Sequence, residues 1–132
     1  DELAASGLRD RDPEAYRQRA FELGVAGYFA NPANARDLTP FRVVGRVQQS
    51  VWESLGDFNL IEHLKGVRVP SLVIAGRDDP IPLASSREAA SVLGTNLVVL
   101  DECGHVPYVE QPERLFAALD PFLDDTNPPV RS

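Results

Sequence analysis

Two kinds of hydrophobic pattern divide this chain, and they meet near Gly66. Before it, apolar residues recur at helical spacing; after it come two short runs that are apolar on consecutive positions. The first helical stretch opens at Asp12-Pro13-Glu14, with Asp12 as N-cap, Pro13 at the first helical position and Glu14 in the first turn. Tyr16, Ala20, Leu23 and Gly27 form its apolar side, Arg17, Gln18 and Arg19 its polar side, and Asn31-Pro32 predicts an end near Ala30. A turn-rich link over 31–38 leads to a second start signal, Thr39 as N-cap with Pro40 behind it. Phe41, Val44, Val47, Gln48, Val51, Trp52 and Leu55 then make a broad apolar face opposite Gln49 and Glu53, and Gly56 predicts a stop. Residues 57–64 add a short turn of helix, and the polar stretch 1–11 is expected to be a loop or a frayed end.

Past Pro70, which fits only a strand entrance, the pattern changes. Leu72-Val73-Ile74-Ala75 runs into Gly76 and then Asp78 and Asp79; Leu97-Val98-Val99-Leu100 runs into Asp101 and then Cys103, Gly104 and His105. Between them Leu83 to Leu93 has helical spacing and stops at Gly94. This is a βαβ unit whose strands, apolar on successive positions, are expected to be parallel and covered on both faces. Gln111-Pro112-Glu113 starts a last helix, with Leu115, Phe116, Leu119, Phe122 and Leu123 facing inward, and 124–132 is expected to be a disordered tail. The fold class is therefore α/β, in three parts: helices over 1–66, a βαβα part over 67–123, and the tail. Two strands make a poor sheet. Neighbouring strands are expected from a second polypeptide segment, or from self-association through the exposed sheet edge.

Composition narrows the function. A formal net charge of -7 with 13 scattered Lys and Arg disfavours nucleic acid, which wants a basic stripe. No apolar run approaches the roughly 20 residues of a membrane span. One cysteine permits no internal disulfide, so a reducing cytoplasm is the expected compartment. With no methionine and Asp1 at the front, the chain is expected to be a piece of something longer.

The residues Val69-Pro70-Ser71-Leu72-Val73-Ile74-Ala75-Gly76-Arg77-Asp78-Asp79, then Gly104-His105, then Glu110-Gln111-Pro112-Glu113 and the closing helix, resemble the C-terminal part of an α/β-hydrolase. The upstream helices resemble that family's cap, and 21–32 is similar to the proline-iminopeptidase-like branch. The resemblance implies a partial α/β-hydrolase fold: the last two parallel strands with flanking helices, plus an N-terminal helical cap segment. It also implies a Ser-His-Asp triad in the chain order nucleophile, acid, histidine. The acid, in a G-x-x-D pattern, falls on Asp79 and the histidine on His105. No G-x-S-x-G is present, so the nucleophile and the oxyanion loop are expected on an N-terminal hydrolase part that this chain lacks. The family's proline after the acid is displaced to Pro80 and Pro82, flanking Ile81.

Each residue also has a plainer role. Asp78 competes with Asp79 as a solvated loop carboxylate that caps the following turn. Cys103 invites a Cys-His dyad, yet residues two apart in a tight loop rarely face each other, so a small buried cysteine is expected. Glu110 resembles a family position that braces the histidine loop. His63 with Glu62, or Cys103 with Asp101 and His105, lacks zinc-ligand spacing, so no metal and no cofactor is expected. Trp52, Phe41 and Tyr28, with Phe29, are candidates for a substrate pocket under the cap or simply pack the cap helices. Glu14, Glu22 and Glu53 could meet a substrate ammonium, or form a solvated face. The activity implied is acyl transfer to water on a small-molecule or peptide substrate, as in an aminopeptidase of the iminopeptidase kind or an esterase. The alternatives are a non-catalytic small-molecule-binding module and an inactive proteolytic remnant.

Overall fold

The computed structural model describes residues 2–41 and 44–126. Helix α1 (Glu2–Ala5) and helix α2 (Leu8–Arg11) precede α3 (Pro13–Val25); 3-10 turns over Ala26–Tyr28 and Pro32–Asp37 lead to α4 (Gly45–Leu55) and α5 (Ile61–Leu64). Strand β1 (Val73–Gly76), α6 (Leu83–Leu93), β2 (Leu97–Leu100), α7 (Pro107–Glu110) and α8 (Pro112–Thr126) complete the order. Among the described residues no helix is long and apolar enough to cross a membrane.

The βαβ unit forms as its sequence requires. β1 and β2 pair in parallel, Val73 beside Leu97 and Gly76 beside Leu100. The crossover helix α6 ends at Gly94, whose φ of 68 supplies the left-handed cap while its N–H donates to Ala90 and Ser91 carbonyls. Thr95 Oγ1 donates to the Ser71 carbonyl at 2.8 Å and fixes the two strand entrances together. The arrangement agrees with the partial α/β-hydrolase fold that the resemblance implies, with the carboxyl ends of both strands on one edge.

Coverage of the strands is incomplete. Val73, Ile74, Leu97, Val98 and Val99 are only half-buried, and burial is complete only at Ala75, Gly76 and Leu100. The main core cluster lies elsewhere, where Val25, Phe29, Ala35 and Leu38 close over Val106 just past the histidine. Apolar packing thus joins the N-terminal helices to the histidine loop directly.

Several local expectations give way to tertiary packing. Residues 2–11 are two short helices rather than a loop, because Ser6 Oγ accepts from Leu8 N–H and the Ser6 carbonyl from the Arg11 guanidinium. Helix α3 starts as expected, with the Asp12 side chain accepting from Ala15 N–H, but it ends at Val25 and tightens into a 3-10 turn through Tyr28. Its inner face is Phe21 and Val25, and Phe29 just past the 3-10 turn joins them in the core, whereas Ala20, Leu23 and Gly27 are exposed. The link 31–38 contains an ordered 3-10 helix capped by Asn31, whose side chain accepts from Ala33 N–H.

The Thr39-Pro40 start signal is overruled, since the helix begins at Gly45. Leu38 is extended and buried, and Phe41 packs edge-to-face on Phe21, 5.2 Å between centroids, so residues 39–41 stay out of a helix. Residues 42 and 43 of the expected helix lie outside the described residues. In the last helix Leu115, Leu119 and Phe122 turn inward, but Phe116 and Leu123 are exposed. Residues 124–126 continue that helix rather than opening a disordered tail, and 127–132 lie outside the described residues.

Candidate active site

The site grows from the way the two strands end. Beyond the last paired residues, Arg77 N–H donates to the Leu100 carbonyl and Asp78 N–H to the Cys103 carbonyl, both at 2.9 Å. These bonds carry the acid loop across the histidine loop. Such an approach is possible only because Gly76 and Gly104 lack a Cβ. At Gly76 a Cβ would fall closer than 3.0 Å to the Gly104 and Cys103 carbonyl oxygens; at Gly104 it would meet the Tyr28 carbonyl oxygen, Ala30 N and Phe29 Cα equally closely. The turn between β2 and the histidine places Glu102 at a φ of 54, unusual outside glycine, and Gln111 Nε2 holds it by donating to the Glu102 carbonyl at 3.1 Å. An Arg77–Asp101 ion pair crosses the same loop ends.

Asp79 and His105 meet in the resulting space. His105 Nδ1 lies 3.0 Å from Asp79 Oδ2 and 3.2 Å from Oδ1. The Ile81 N–H donates to Asp79 Oδ1 at 2.7 Å, so the carboxylate is oriented from its own turn. An ionised carboxylate only accepts, so a neutral His105 must carry its hydrogen on Nδ1 and present a basic Nε2. Among the described residues no hydrogen-bond partner faces that Nε2. The Asp79 side chain is 14% exposed and that of His105 46%: the acid is sheltered, and the ring is open to incoming groups. Asp78 is exposed beside this pair and does not bond the histidine.

Glu110 braces the arrangement. Its Oε2 accepts from Gly104 N–H at 2.7 Å and Ala30 N–H at 3.1 Å; its Oε1 accepts from Asn31 N–H at 3.1 Å and Asn34 Nδ2 at 3.2 Å. Burial pushes this carboxyl up, but the four donors outweigh burial and hold it below the usual glutamate range. His105 N–H is fastened in turn to the Tyr28 carbonyl at 2.6 Å.

A group held low in the folded state stabilises the fold above its unfolded value, near 4.5, and loses that contribution as pH falls through the folded value. Glu110→Gln is therefore expected to cost about 1.5–3 kcal/mol at pH 7, the worth of hydrogen bonds to a charged group. Its stability should also fall less steeply than the parent's between pH 5 and 3, as denaturant midpoints across that range would report.

Cys103 is fully buried, and burial pushes its thiol up to about 11, with the Glu110, Asp79 and Asp78 charges adding to the shift. Its Sγ–H turns to the Gly104 carbonyl at 3.6 Å and not to the imidazole. The structure therefore does not assemble a Cys-His dyad from these two residues.

Beside His105 opens a cleft of about 490 Å³, bounded by Tyr28, Phe41, Ile81 and Tyr108. Tyr28 and Phe41 thus sit where the sequence suggested a pocket, Tyr28 with its ring 5.6 Å from the imidazole. Trp52 does not line it: the indole is 60% exposed on α4, every residue of which is exposed. Phe29 is in the core instead. Ile81 and Tyr108 were missed, although Pro107, a helix-start residue just after His105, marks the element that carries Tyr108. The cap acids lie apart from the cleft. Glu22 bonds Gln18 and Arg19, in that order of effect, and both hold it below the usual carboxylate range. Glu53 accepts from Gln49, and Glu14 is exposed in the first turn of α3.

With this geometry in hand, similarity to known proteins fixes the family. The model of the Alpha/beta hydrolase family matches residues 2–119. This chain belongs to that family. A proline iminopeptidase of Heyndrickxia coagulans is 26% identical over 95 residues, which are 70% of this chain and 33% of the relative. The hydrolase chain therefore spans about a third of the length of the curated relative it matches. No solved structure matches it.

Proposed function

We propose that this hydrolase chain supplies the acid, Asp79, and the base, His105, of a Ser-His-Asp triad, with the serine on an N-terminal portion. The observation that carries the reading is the 3.0 Å contact of Asp79 Oδ2 with His105 Nδ1 at the carboxyl edge of two parallel strands. Nε2 takes the serine proton as Oγ bonds to the scissile carbonyl carbon, and returns it to the leaving group as that bond breaks. Water then attacks the acyl-enzyme by the same route and releases the acid. Asp79 keeps Nδ1 protonated and stabilises the imidazolium. The half-buried apolar positions of both strands support a neighbouring strand from the serine-bearing portion. The union of the two is called here the assembled enzyme.

Two substrate classes follow. The relative's name supports an N-terminal prolyl peptide bond; family membership supports equally a small ester, amide or lactone. A fluorophosphonate probe, which reacts with activated serines, tests the mechanism. The assembled enzyme is expected to take up one phosphonate on its partner serine, and His105→Ala should abolish the uptake. Uptake that survived the substitution would refute the assignment; none even in the parent would make the chain a binding module or a remnant.

A further inference from the structure

Tyr28 meets His105 twice. Its carbonyl accepts from the His105 N–H at 2.6 Å, and its ring centroid lies 5.6 Å from that of the imidazole, the two planes tilted by 49°. Both contacts tie the 3-10 turn Ala26–Tyr28 to the loop that follows β2. That turn is firmly mounted. Phe29 beside it is in the core, and the N–H groups of Ala30 and Asn31 donate to Glu110, the carboxylate that also holds Gly104. The phenol ring is thus carried on a support fixed relative to the histidine.

What such a ring can do follows from the shape of the Asp79 bond. The two carboxylate oxygens lie 3.0 and 3.2 Å from the same atom, Nδ1, so the acid grips the imidazole at one point. A grip at one point lets the ring plane turn about it, and a turned plane carries Nε2 off the line to a serine hydroxyl. A base works only within about 2.6–3.2 Å of the proton it takes, and a misplacement of about 1 Å can cost a hundredfold. A second contact, away from Nδ1, removes that freedom. The Tyr28 ring makes one.

We propose that Tyr28 is a positioning residue for the base: its ring sets the plane of the imidazole and so the aim of Nε2. The flat ring performs this role, and the hydroxyl does not. This rests on the Ser-His-Asp reading above, and it gives Tyr28 a part in turnover beyond lining the cleft.

Replacing the side chain isolates the ring, because the carbonyl that accepts from His105 N–H stays in the backbone. Tyr28 is 43% exposed and outside the core cluster, so its variants should keep the parent's urea midpoint. Hydrolysis of p-nitrophenyl butyrate by the assembled enzyme is the rate probe, with fluorophosphonate labelling in its place if the ester is not cleaved. Tyr28→Leu keeps apolar bulk and loses the flat ring. It is expected to lower kcat, or the limiting labelling rate, about tenfold, with half-saturation moved less than about twofold. Tyr28→Phe, which keeps the ring, should recover most of that loss. The imidazole is also read without turnover, from its nitrogen shifts in this chain at about pH 8, where an ordinary imidazole is neutral and the exposed His63 serves as reference. The parent His105 should carry its hydrogen on Nδ1, and Tyr28→Leu should move its shifts toward those of His63.

A kcat unmoved by Tyr28→Leu, or a loss carried by KM alone, overturns the inference while the hydrolase reading stands, because Tyr28 is then only a wall of the cleft. An equal loss in Tyr28→Phe also overturns it, since the phenol oxygen then acts. Imidazole shifts that Tyr28→Leu leaves in place do the same. A parent that neither cleaves the ester nor takes up phosphonate removes the hydrolase reading, and this role with it.

Discussion

Turnover by the assembled enzyme is expected to fall by about 10⁴-fold or more when His105 is replaced by alanine, with KM little changed. The size of the loss follows from what the ring does. Without Nε2 the serine keeps its proton at neutral pH and the leaving group departs unprotonated, so both halves of the reaction are impaired. Asp79→Asn should cost a comparable factor by a different route: an amide can donate to Nδ1, which favours the tautomer that turns a protonated Nε2 toward the serine. Asp78→Asn is the internal control, since that side chain is exposed and does not touch the imidazole, and it should change kcat less than about threefold. Because the His105 side chain is half exposed, its removal should barely move the denaturation midpoint, so a loss of rate cannot be mistaken for a loss of fold. Steady-state kinetics on the three variants decide the matter; a Asp78→Asn defect larger than that of Asp79→Asn would reassign the acid.

The second large effect is on the fold. Gly104→Ala should destabilise the chain by about 3 kcal/mol or more, at the upper end for overpacking. The added Cβ would collide with backbone on three sides, at Tyr28, Phe29 and Ala30, and backbone cannot swing away as a long side chain would. Relief requires the histidine loop to lift, which stretches the His105 N–H bond to Tyr28 and the Gly104 N–H bond to Glu110 together. Gly24→Ala supplies the contrast. It lies within α3 with nothing within 4 Å of its added Cβ, so it should leave stability unchanged or raise it by up to about 1 kcal/mol. Urea midpoints for both variants test the pair. A Gly104→Ala protein as stable as its parent would mean that the close approach of Gly104 to the Tyr28–Ala30 backbone is not maintained in solution.

The βαβ unit was legible in the residues because it depends on short-range rules, whereas the pairing of Asp79, over Asp78, with His105 came from the family resemblance. Consecutive apolar positions mark buried strands, Gly94 can adopt a left-handed cap, and parallel strands bring their following loops to one edge. The cap was less legible because distant contacts decide it. Phe21 reaches across to Phe41, and Leu38 is drawn into the core, so the local start signal at Thr39-Pro40 loses to packing that no nearby residue announces. The inward set of α3 and the turn after it was present in the spacing of Phe21, Val25 and Phe29, but an equally regular set, Tyr16, Ala20, Leu23 and Gly27, competed with it. Trp52, Phe116 and Leu123 are apolar at helical spacing and still exposed, and helical periodicity alone names no partner for a face.

The four hydrogen bonds of Glu110 bear on motion. One carboxylate grips the loop of His105 and the turn from Ala30 to Asn34 at once, and the Phe29–Leu38 core packs on Val106 beside them. The turn over 30–34 and the loop of His105 are therefore tied to one anion, and displacing either one drags the other.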